Sequence, residues 1–206
     1  YQSAGSWINW ITTAIAADAT TVRGDAPLLS VIIPTYNYGR YLAQAIQSVI
    51  DQGIDDIEIL VLDNASTDNT DEVVSAFSGD ARVRYMRNHH NYGPGYNWRN
   101  GLWIARGRYC TFLSADDFFN DGHLKRLLPL LERNSEVAVA YTSIKWVDAD
   151  GMGIDQPRHP GYAGHDYVGG RNELVHLLVH DCYMTPSAVV YRRQAFKDTW
   201  RPSRTQ

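Results

Sequence analysis

Two nearly continuous apolar runs constrain the fold of this chain most strongly. Residues 29–33 form one run, which Pro34 ends, and residues 57–62 form the other, which Asp63 ends. Runs of this length that are rich in Val, Ile and Leu are typical of strands buried on both faces. Such strands occur in parallel sheets that helices cover on both sides. The two runs therefore predict a sheet between two layers of helix.

The rest of the chain alternates strand-like and helix-like patterns. Further strands are predicted at residues 83–86, 109–113, 137–144 and 188–191, and helices at residues 41–50, 67–77, 97–106, 123–133 and 173–180. This alternation indicates βαβ units and a mostly parallel α/β sheet. We expect one domain at residues 28–206, preceded by a helical extension at residues 1–27. Ligands of such sheets bind beyond the carboxyl ends of the strands, after residues 33, 62, 86 and 113.

Net charge, cysteine content and hydropathy argue against several classes of protein. The net charge of -4 disfavours a nucleic-acid partner, because proteins that bind phosphate backbones usually carry a basic surplus. Cys110 and Cys182 are far apart and match no metal motif, so we expect inert buried thiols in a reducing, cytoplasmic compartment. No apolar stretch is long enough to span a membrane. The apolar face formed by Trp7, Trp10 and Ile11 could instead pack on the domain, a partner or a membrane surface.

Polar segments follow the first two predicted strands. Pro34–Asn37 comes after the first, and Tyr36 there could either stack on a nucleotide base or cover the end of the sheet. Residues 63–70 come after the second. Asp63 could accept from a nucleoside, whereas Asp68 fits a helix-capping role better, and Ser66, Thr67 and Thr70 are further capping candidates.

Two adjacent carboxylates, Asp116 and Asp117, follow the fourth predicted strand. Carboxylates placed side by side at a strand end repel each other, and a cation relieves that repulsion. One or two carboxylates together with substrate phosphates are the usual ligands of Mg²⁺ or Mn²⁺. The alternative is a solvated turn before the next helix.

Four segments, taken in order, resemble the family 2 glycosyltransferases of the GT-A fold, a Rossmann-like fold. They are SVIIPTYNYGRYLAQAIQSVIDQ, IEILVLDNASTDNT, VRYMRN and ARGRYCTFLSADD. The resemblance implies that Tyr36 stacks on the base, usually uracil, that Asp63 contacts the nucleoside and that Asp116 ligates the metal. With the adjoining residues, the expected nucleotide site comprises Pro34, Thr35, Tyr36, Asn37, Asp63, Asn64, Arg99, Ala115 and Asp116. Asp116 and Asp117 are the expected ligands of Mn²⁺ or Mg²⁺.

The implied activity is transfer of a sugar, with inversion, from a nucleotide-diphospho-sugar to an acceptor hydroxyl. A UDP-sugar donor and a saccharide or lipid-linked acceptor are expected, in polysaccharide or glycoconjugate synthesis. Two alternatives stay open. A sugar nucleotidyltransferase would need a glycine-rich basic loop after the first strand, where this chain has Pro34–Arg40. A non-catalytic nucleotide-binding or scaffolding module of a larger polymerase is the other.

The chain departs from the family pattern at three places. Ser114 occupies the first position of the usual Asp-x-Asp metal motif, and Asp63-Asn64 stands where many relatives have two acidic residues. The inverting mechanism also needs a carboxylate base. The family places that base in an acidic motif shortly after a segment like residues 195–200, so we expect it beyond Gln206.

Other polar side chains admit two interpretations. Arg99 could bind a diphosphate, although a solvated arginine on a helix is the simpler reading; Asn91 and Asn97 are comparable candidates for the same cleft. Trp98 and Trp103 are expected in the core or at an interface. His176 and His180 have a spacing that could hold zinc, but the apolar residues between them favour a packed helix.

Overall fold

The computed structural model describes residues 26–149, 151–154 and 185–195. Several predicted features lie outside these ranges, namely most of the 1–27 extension, the helix at 173–180 with His176 and His180, and Cys182. None of the helices within the described ranges has the length and apolar content to cross a bilayer. Cys110 is buried, and burial raises the pKa of its thiol to about 12, so it is inert as predicted.

The described residues form eight strands, four α-helices and a short 3-10 helix in an α/β order. The strands are β1 (Leu29–Thr35), β2 (Ile57–Asp63), β3 (Val83–Arg87), β4 (Tyr109–Phe112), β5 (Val139–Tyr141), β6 (Trp146–Val147), β7 (Gly153–Ile154) and β8 (Val189–Arg192). The helices are α1 (Gly39–Ile50), α2 (Thr70–Ser75), α3 (Pro94–Ile104) and α4 (His123–Arg133). The 3-10 helix, Pro186–Ala188, directly precedes β8.

Six strands form one mixed sheet in the order β3-β2-β1-β4-β8-β5. The pairs β1–β2, β2–β3 and β1–β4 are parallel, whereas β8 runs antiparallel to both β4 and β5. The mostly parallel sheet predicted from the apolar runs is therefore confirmed. The chain moves outward from β1 through β2 to β3 and then returns to place β4 on the other side of β1. Ligands of open α/β sheets bind at such a reversal.

Helices cover both faces of the sheet because successive residues of a strand point to opposite sides. Val31 and Ile33 pack with α1 and α4, whereas Ile32 packs with Trp98 and Leu102 of α3. The approach of α3 is close: a Cβ on Gly101 would lie 2.4 Å from Cγ2 of Ile32. The sheet therefore has a fixed position against its helices, and its carboxyl edge is a rigid base for the loops.

Helix ends differ from the predicted bounds for identifiable reasons. Helix α1 starts at Gly39, two residues early, where the Gly39 N–H donates to Oδ2 of Asp68 at 2.9 Å. Helix α2 is shorter than the predicted 67–77. Its first residue is Thr70, whose backbone N–H and hydroxyl both donate to Oδ1 of Asp68. Asp68 is thus a capping residue as predicted, whereas the predictions of Ser66, Thr67 and Thr70 as caps are wrong.

Candidate functional site

A cleft of about 300 Å³ opens at the carboxyl edge of the sheet, between β1 and β4. The loops after β1, β2 and β4 and the start of α3 form its walls. The lining residues are Pro34, Thr35, Tyr36, Tyr38, Asn64, Asn91, Pro94, Asn97, Trp98, Ser114, Ala115 and Asp116. Four segments that are distant in sequence therefore meet at one site, as the strand order requires.

Hydrogen bonds join the loop after β1 to the loop after β2. The Asn37 N–H donates to Oγ of Ser66 at 2.9 Å, and Oδ1 of Asn37 accepts from the Thr67 N–H at 2.7 Å. Asn37 also has a φ of 58°, a left-handed conformation that asparagine tolerates better than most residues. Asn37 is not among the lining residues, so it shapes the loop, and its contact with a nucleotide stays a prediction.

The residues that precede Asn37 face the cleft. Tyr36 is 41% exposed, which leaves much of its side chain accessible. Thr35 is buried, and its Oγ1 has no hydrogen-bond partner among the residues that the structure describes. Buried hydroxyls are normally hydrogen-bonded. An unpartnered hydroxyl in the wall of a cleft is a candidate ligand contact.

The Asp63 carboxylate is engaged within the protein. It is fully buried, and its Oδ1 accepts from the Ser66 N–H while its Oδ2 accepts from the Tyr85 hydroxyl, each at 2.8 Å. An Arg87 guanidinium nitrogen lies 3.4 Å from Oδ2. Burial and the neighbouring Asp63 raise the pKa of the Tyr85 hydroxyl, which keeps it a donor. Asp63 does not line the cleft, so the geometry gives it the role of holding the loop, and its contact with a nucleoside stays a prediction.

Four asparagine side chains, Asn64, Asn88, Asn91 and Asn97, form an amide network under one wall of the cleft. Nδ2 of Asn64 donates to Oδ1 of Asn91 at 2.7 Å and to the Gly93 carbonyl at 3.2 Å. Its Oδ1 accepts from Nδ2 of Asn88 and from the Tyr92 N–H. Both amide protons and both lone pairs of Asn64 are therefore used. Asn64 lines the cleft and its hydrogen bonds orient its neighbours, while its contact with a nucleotide stays a prediction.

Backbone partners fix the direction of the Asn64, Asn91 and Asn97 amides in this network. The Gly93 N–H can only donate, and it lies 2.8 Å from Oδ1 of Asn91. Oδ1 of Asn91 thus accepts from two donors, and its Nδ2 carries two protons with no acceptor among the described residues. Asn97 is fixed in the same way, since its Nδ2 donates to the Leu62 carbonyl at 2.6 Å. Asn91 lines the cleft, so its amide is a candidate donor to a ligand there.

The loop Ser114–Asp117 separates its two carboxylates. Asp116 is exposed and lines the cleft beside the buried Ala115. Asp117 is half-buried, does not line the cleft, and accepts at Oδ2 from the Ser187 hydroxyl at 2.5 Å. Within the described ranges no cluster of three or more His, Cys, Asp or Glu residues is arranged to hold a metal. A single free carboxylate fits a Mg²⁺ or Mn²⁺ ion that takes its other ligands from a diphosphate and water.

The sequence predicted some of the other side chains around the cleft and missed others. Arg99 is exposed on α3 with its guanidinium 5.7 Å from the Tyr96 ring and does not line the cleft, so its contact with a diphosphate stays a prediction. Trp98 stacks on Phe112 with ring centroids 4.3 Å apart, as expected of a core residue, and also lines the cleft. Ser187 was missed because it lies 70 residues from Asp117 and no sequence pattern links them. Tyr38 was likewise not anticipated, whereas Pro94 lies in the segment 91–99, which was expected to border the cleft.

Comparison with known proteins gives a consistent picture. The sequence model described as "Glycosyl transferase family 2" matches residues 30–200. An uncharacterised glycosyltransferase of Methanocaldococcus jannaschii is 31% identical over 169 residues, which cover 81% of this chain and 58% of that protein. A Campylobacter jejuni protein named GalNAc(5)-diNAcBac-PP-undecaprenol beta-1,3-glucosyltransferase is 41% identical over 104 residues, half of this chain and 34% of its own length.

Solved structures agree on the architecture. The crystal structure of residues 1–349 of S. aureus TarS in complex with UDP-GlcNAc has a TM-score of 0.67 and 26% identity, covering 82% of this chain and 46% of that one. A mannosyltransferase from Pyrobaculum calidifontis, in complex with GDP-Man and Mn²⁺, has a TM-score of 0.59 at 16% identity, over 95% of this chain and 55% of that one. These relatives share the GT-A fold. The chain spans about half the length of the relatives that it matches over most of its residues.

Proposed function

The chain belongs to glycosyl transferase family 2, and we propose that it binds a nucleotide-diphospho-sugar and transfers the sugar to an acceptor hydroxyl with inversion. One observation carries the proposal. An aromatic side chain, Tyr36, and a carboxylate that has no partner among the described residues, Asp116, line the same cleft at the point where the strand order reverses. A nucleotide-diphospho-sugar carries both a flat base, which stacks on an aromatic ring, and a diphosphate, which binds a metal that a carboxylate holds.

The base end of the donor is assigned to the walls formed by β1 and α3. Tyr36 supplies an exposed ring for stacking, and Thr35 supplies a buried hydroxyl with no partner among the described residues. Asn91 supplies two amide protons, which match acceptors such as the carbonyls of uracil or phosphate oxygens. UDP as the nucleotide is further supported by TarS, whose structures contain UDP and UDP-GlcNAc.

The diphosphate end is assigned to the Ser114–Asp117 loop. Asp116 would hold Mn²⁺ or Mg²⁺, with the phosphates completing the coordination. A bound divalent ion neutralises the charge that develops on a departing nucleoside diphosphate. Ala115 is buried in the wall beside Asp116 and gives the sugar phosphate a close apolar surface.

The acceptor side is assigned to the β4–β8–β5 half of the same edge. A saccharide or lipid-linked acceptor is supported by the Campylobacter jejuni relative, whose name specifies an undecaprenol-linked acceptor. Inversion requires a carboxylate that removes the proton from the acceptor hydroxyl. That base is expected after residues 195–200, beyond the described residues.

Calorimetric titration of UDP, with Mn²⁺ and with EDTA, tests the donor site. We expect Mn²⁺ to tighten UDP binding and Asp116→Ala to remove that gain while leaving the binding in EDTA unchanged. Asp121→Ala is the matched control, because Asp121 is an exposed aspartate near the same loop that does not line the cleft. Failure of the wild-type protein to bind UDP under either condition would refute the proposal and favour a scaffolding module.

A further inference from the structure

We propose that Ser187 is a positioning residue for the metal, because it fixes the Ser114–Asp117 loop so that Asp116 faces the cleft. This inference rests on the function proposed above. Ser187 does not line the cleft, so its effect passes through the loop. One hydroxyl contacts both ends of a four-residue loop that carries the proposed metal ligand between them.

The Ser187 hydroxyl contacts the loop at its first and last residues. It accepts from the Ser114 N–H at 3.1 Å and lies 2.5 Å from Oδ2 of Asp117. A hydroxyl has one proton and two lone pairs. The proton serves the short contact with the carboxylate, since hydrogen bonds to charged acceptors are the shorter and stronger ones. The Ser114 Oγ, 3.4 Å away, can then donate to the remaining lone pair.

The loop itself is a tight turn whose third residue, Asp116, has no hydrogen-bond partner within the described ranges. The Asp117 N–H donates to the Ser114 carbonyl at 3.0 Å, which closes the turn. Asp117 points to Ser187, whereas Asp116, one position earlier, is exposed at the cleft. The adjacent carboxylates therefore do not compete for one cation. A loop without the Ser187 contact would let Asp117 rotate and Asp116 shift from its position.

Ser187 can impose this geometry because its own segment is anchored. The Ala188 N–H donates to the Thr185 carbonyl at 2.9 Å within the 3-10 helix, and the Ala188 carbonyl accepts from the Thr142 N–H at 3.1 Å. Next to it, the buried Thr111 hydroxyl of β4 donates to the Val189 carbonyl at 2.7 Å. The start of β8 is thus hydrogen-bonded to β4 and to the end of β5, and these bonds hold the segment that carries Ser187 in place.

This arrangement also accounts for Ser114, where the family motif usually has an aspartate. A carboxylate at position 114 would sit next to Asp117 and Asp116 and would place an acceptor opposite the Ser187 oxygen. Serine instead offers a hydroxyl that can donate to it. The loop therefore has a contact between the hydroxyls of Ser114 and Ser187 where the family motif usually has a carboxylate. That contact is a further link between Ser187 and the loop.

The test measures UDP binding by calorimetry, in Mn²⁺ and in EDTA, for wild type, Ser187→Ala and Ser187→Thr. Removing a group that orients a metal ligand typically lowers metal affinity about 10- to 100-fold. We therefore expect Ser187→Ala to weaken UDP binding in Mn²⁺ by about tenfold or more, with binding in EDTA unchanged, and Ser187→Thr to retain the wild-type values. Ser75→Ala is the control, because it removes an exposed hydroxyl that bonds a backbone carbonyl at 2.8 Å.

A double-mutant cycle then separates positioning from direct ligation. If Ser187 acts through Asp117, the pair Ser187→Ala and Asp117→Ala loses no more than the larger single loss. Additive losses, or a loss in Asp117→Ala that far exceeds that in Ser187→Ala, would overturn the inference and make Asp117 a ligand. Wild-type affinity in Ser187→Ala would overturn it as well, and a Ser187→Ala variant that does not fold leaves the decision to Ser187→Thr and Asp117→Ala. Absence of UDP binding in the wild type would instead refute the proposed function.

Discussion

Asn91→Asp reverses the hydrogen-bonding character of one wall of the cleft while keeping its shape. In the wild type Oδ1 of Asn91 accepts from Asn64 and from the Gly93 N–H, and Nδ2 presents two protons. In the variant one carboxylate oxygen keeps both donors. The other oxygen replaces the amide nitrogen and faces the ligand as an acceptor.

The expected loss of UDP affinity follows from these contacts. One neutral hydrogen bond is worth about 1 kcal/mol, and leaving the ligand acceptor opposite an oxygen adds about 1–3 kcal/mol. The sum of about 2–4 kcal/mol corresponds to an increase of about 30- to 700-fold in the dissociation constant. Thermal stability should not fall, since both donors to Oδ1 remain and now meet a charged acceptor.

Calorimetry with UDP and thermal melts measure the two effects separately. Asn120→Asp is the matched control, because it adds the same charge at an exposed residue outside the cleft. UDP binding by Asn91→Asp within about threefold of wild type, a difference of less than 1 kcal/mol, would refute the assignment of Asn91 to the ligand. A fall in melting temperature together with a loss of binding would refute the assigned direction of the amide.

Three further predictions concern stacking, packing and pH. Tyr36→Ala should weaken UDP binding by about 1–3 kcal/mol and Tyr36→Phe should retain it, as calorimetry can measure; a lower melting temperature with unchanged affinity would show that Tyr36 only covers the sheet. Gly107→Ala should lower stability by about 3 kcal/mol in urea melts, because its Cβ would lie 2.5 Å from the Ser30 backbone nitrogen. Gly79→Ala, whose Cβ would have no atom of the described residues within 4 Å, should be nearly neutral. Burial lowers the pKa of His123 from 6.5 to about 4, so the unfolded chain binds the extra proton and stability should fall as the pH drops from 6.5 toward 4. His123→Phe should flatten that dependence in urea melts, and an unchanged slope would contradict the assignment.

The sequence alone predicted the elements of the sheet because their signals are local. An apolar run such as residues 29–33 has to be buried on both faces wherever it lies, and helical spacing at residues 41–50 specifies a helix without reference to its neighbours. The mostly parallel sheet then followed from general rules of α/β connection, whereas the strand order came from the structure. Element bounds were less predictable. The start of α1 depends on Asp68, which is remote in sequence, and Pro94 begins α3 three residues before the predicted start.

The sequence predicted the location of the candidate site more accurately than it predicted which of the polar atoms there are available to a ligand. Residue type and position after a strand put Tyr36, Asn64 and Asp116 at one edge, and all three line the cleft. Whether a polar atom is free for a ligand depends on which distant groups approach it. Asp63 is satisfied by Tyr85, and Asn64 is satisfied by its partners in the amide network.

The tertiary structure alone decided the roles of Asn91, Asp117 and Ser187. Asn91 and Asn97 are comparable candidates in sequence, but the Leu62 carbonyl accepts from the amide of Asn97, whereas the amide protons of Asn91 have no acceptor among the described residues. Asp116 and Asp117 are adjacent and chemically identical, and a serine 70 residues away from Asp117 distinguishes them. Local patterns fix the period and burial of an element, because those depend on neighbours along the chain. Hydrogen-bond partners depend on which segments the sheet brings together, so the sequence determined where this site lies and the fold determined which of its atoms are available.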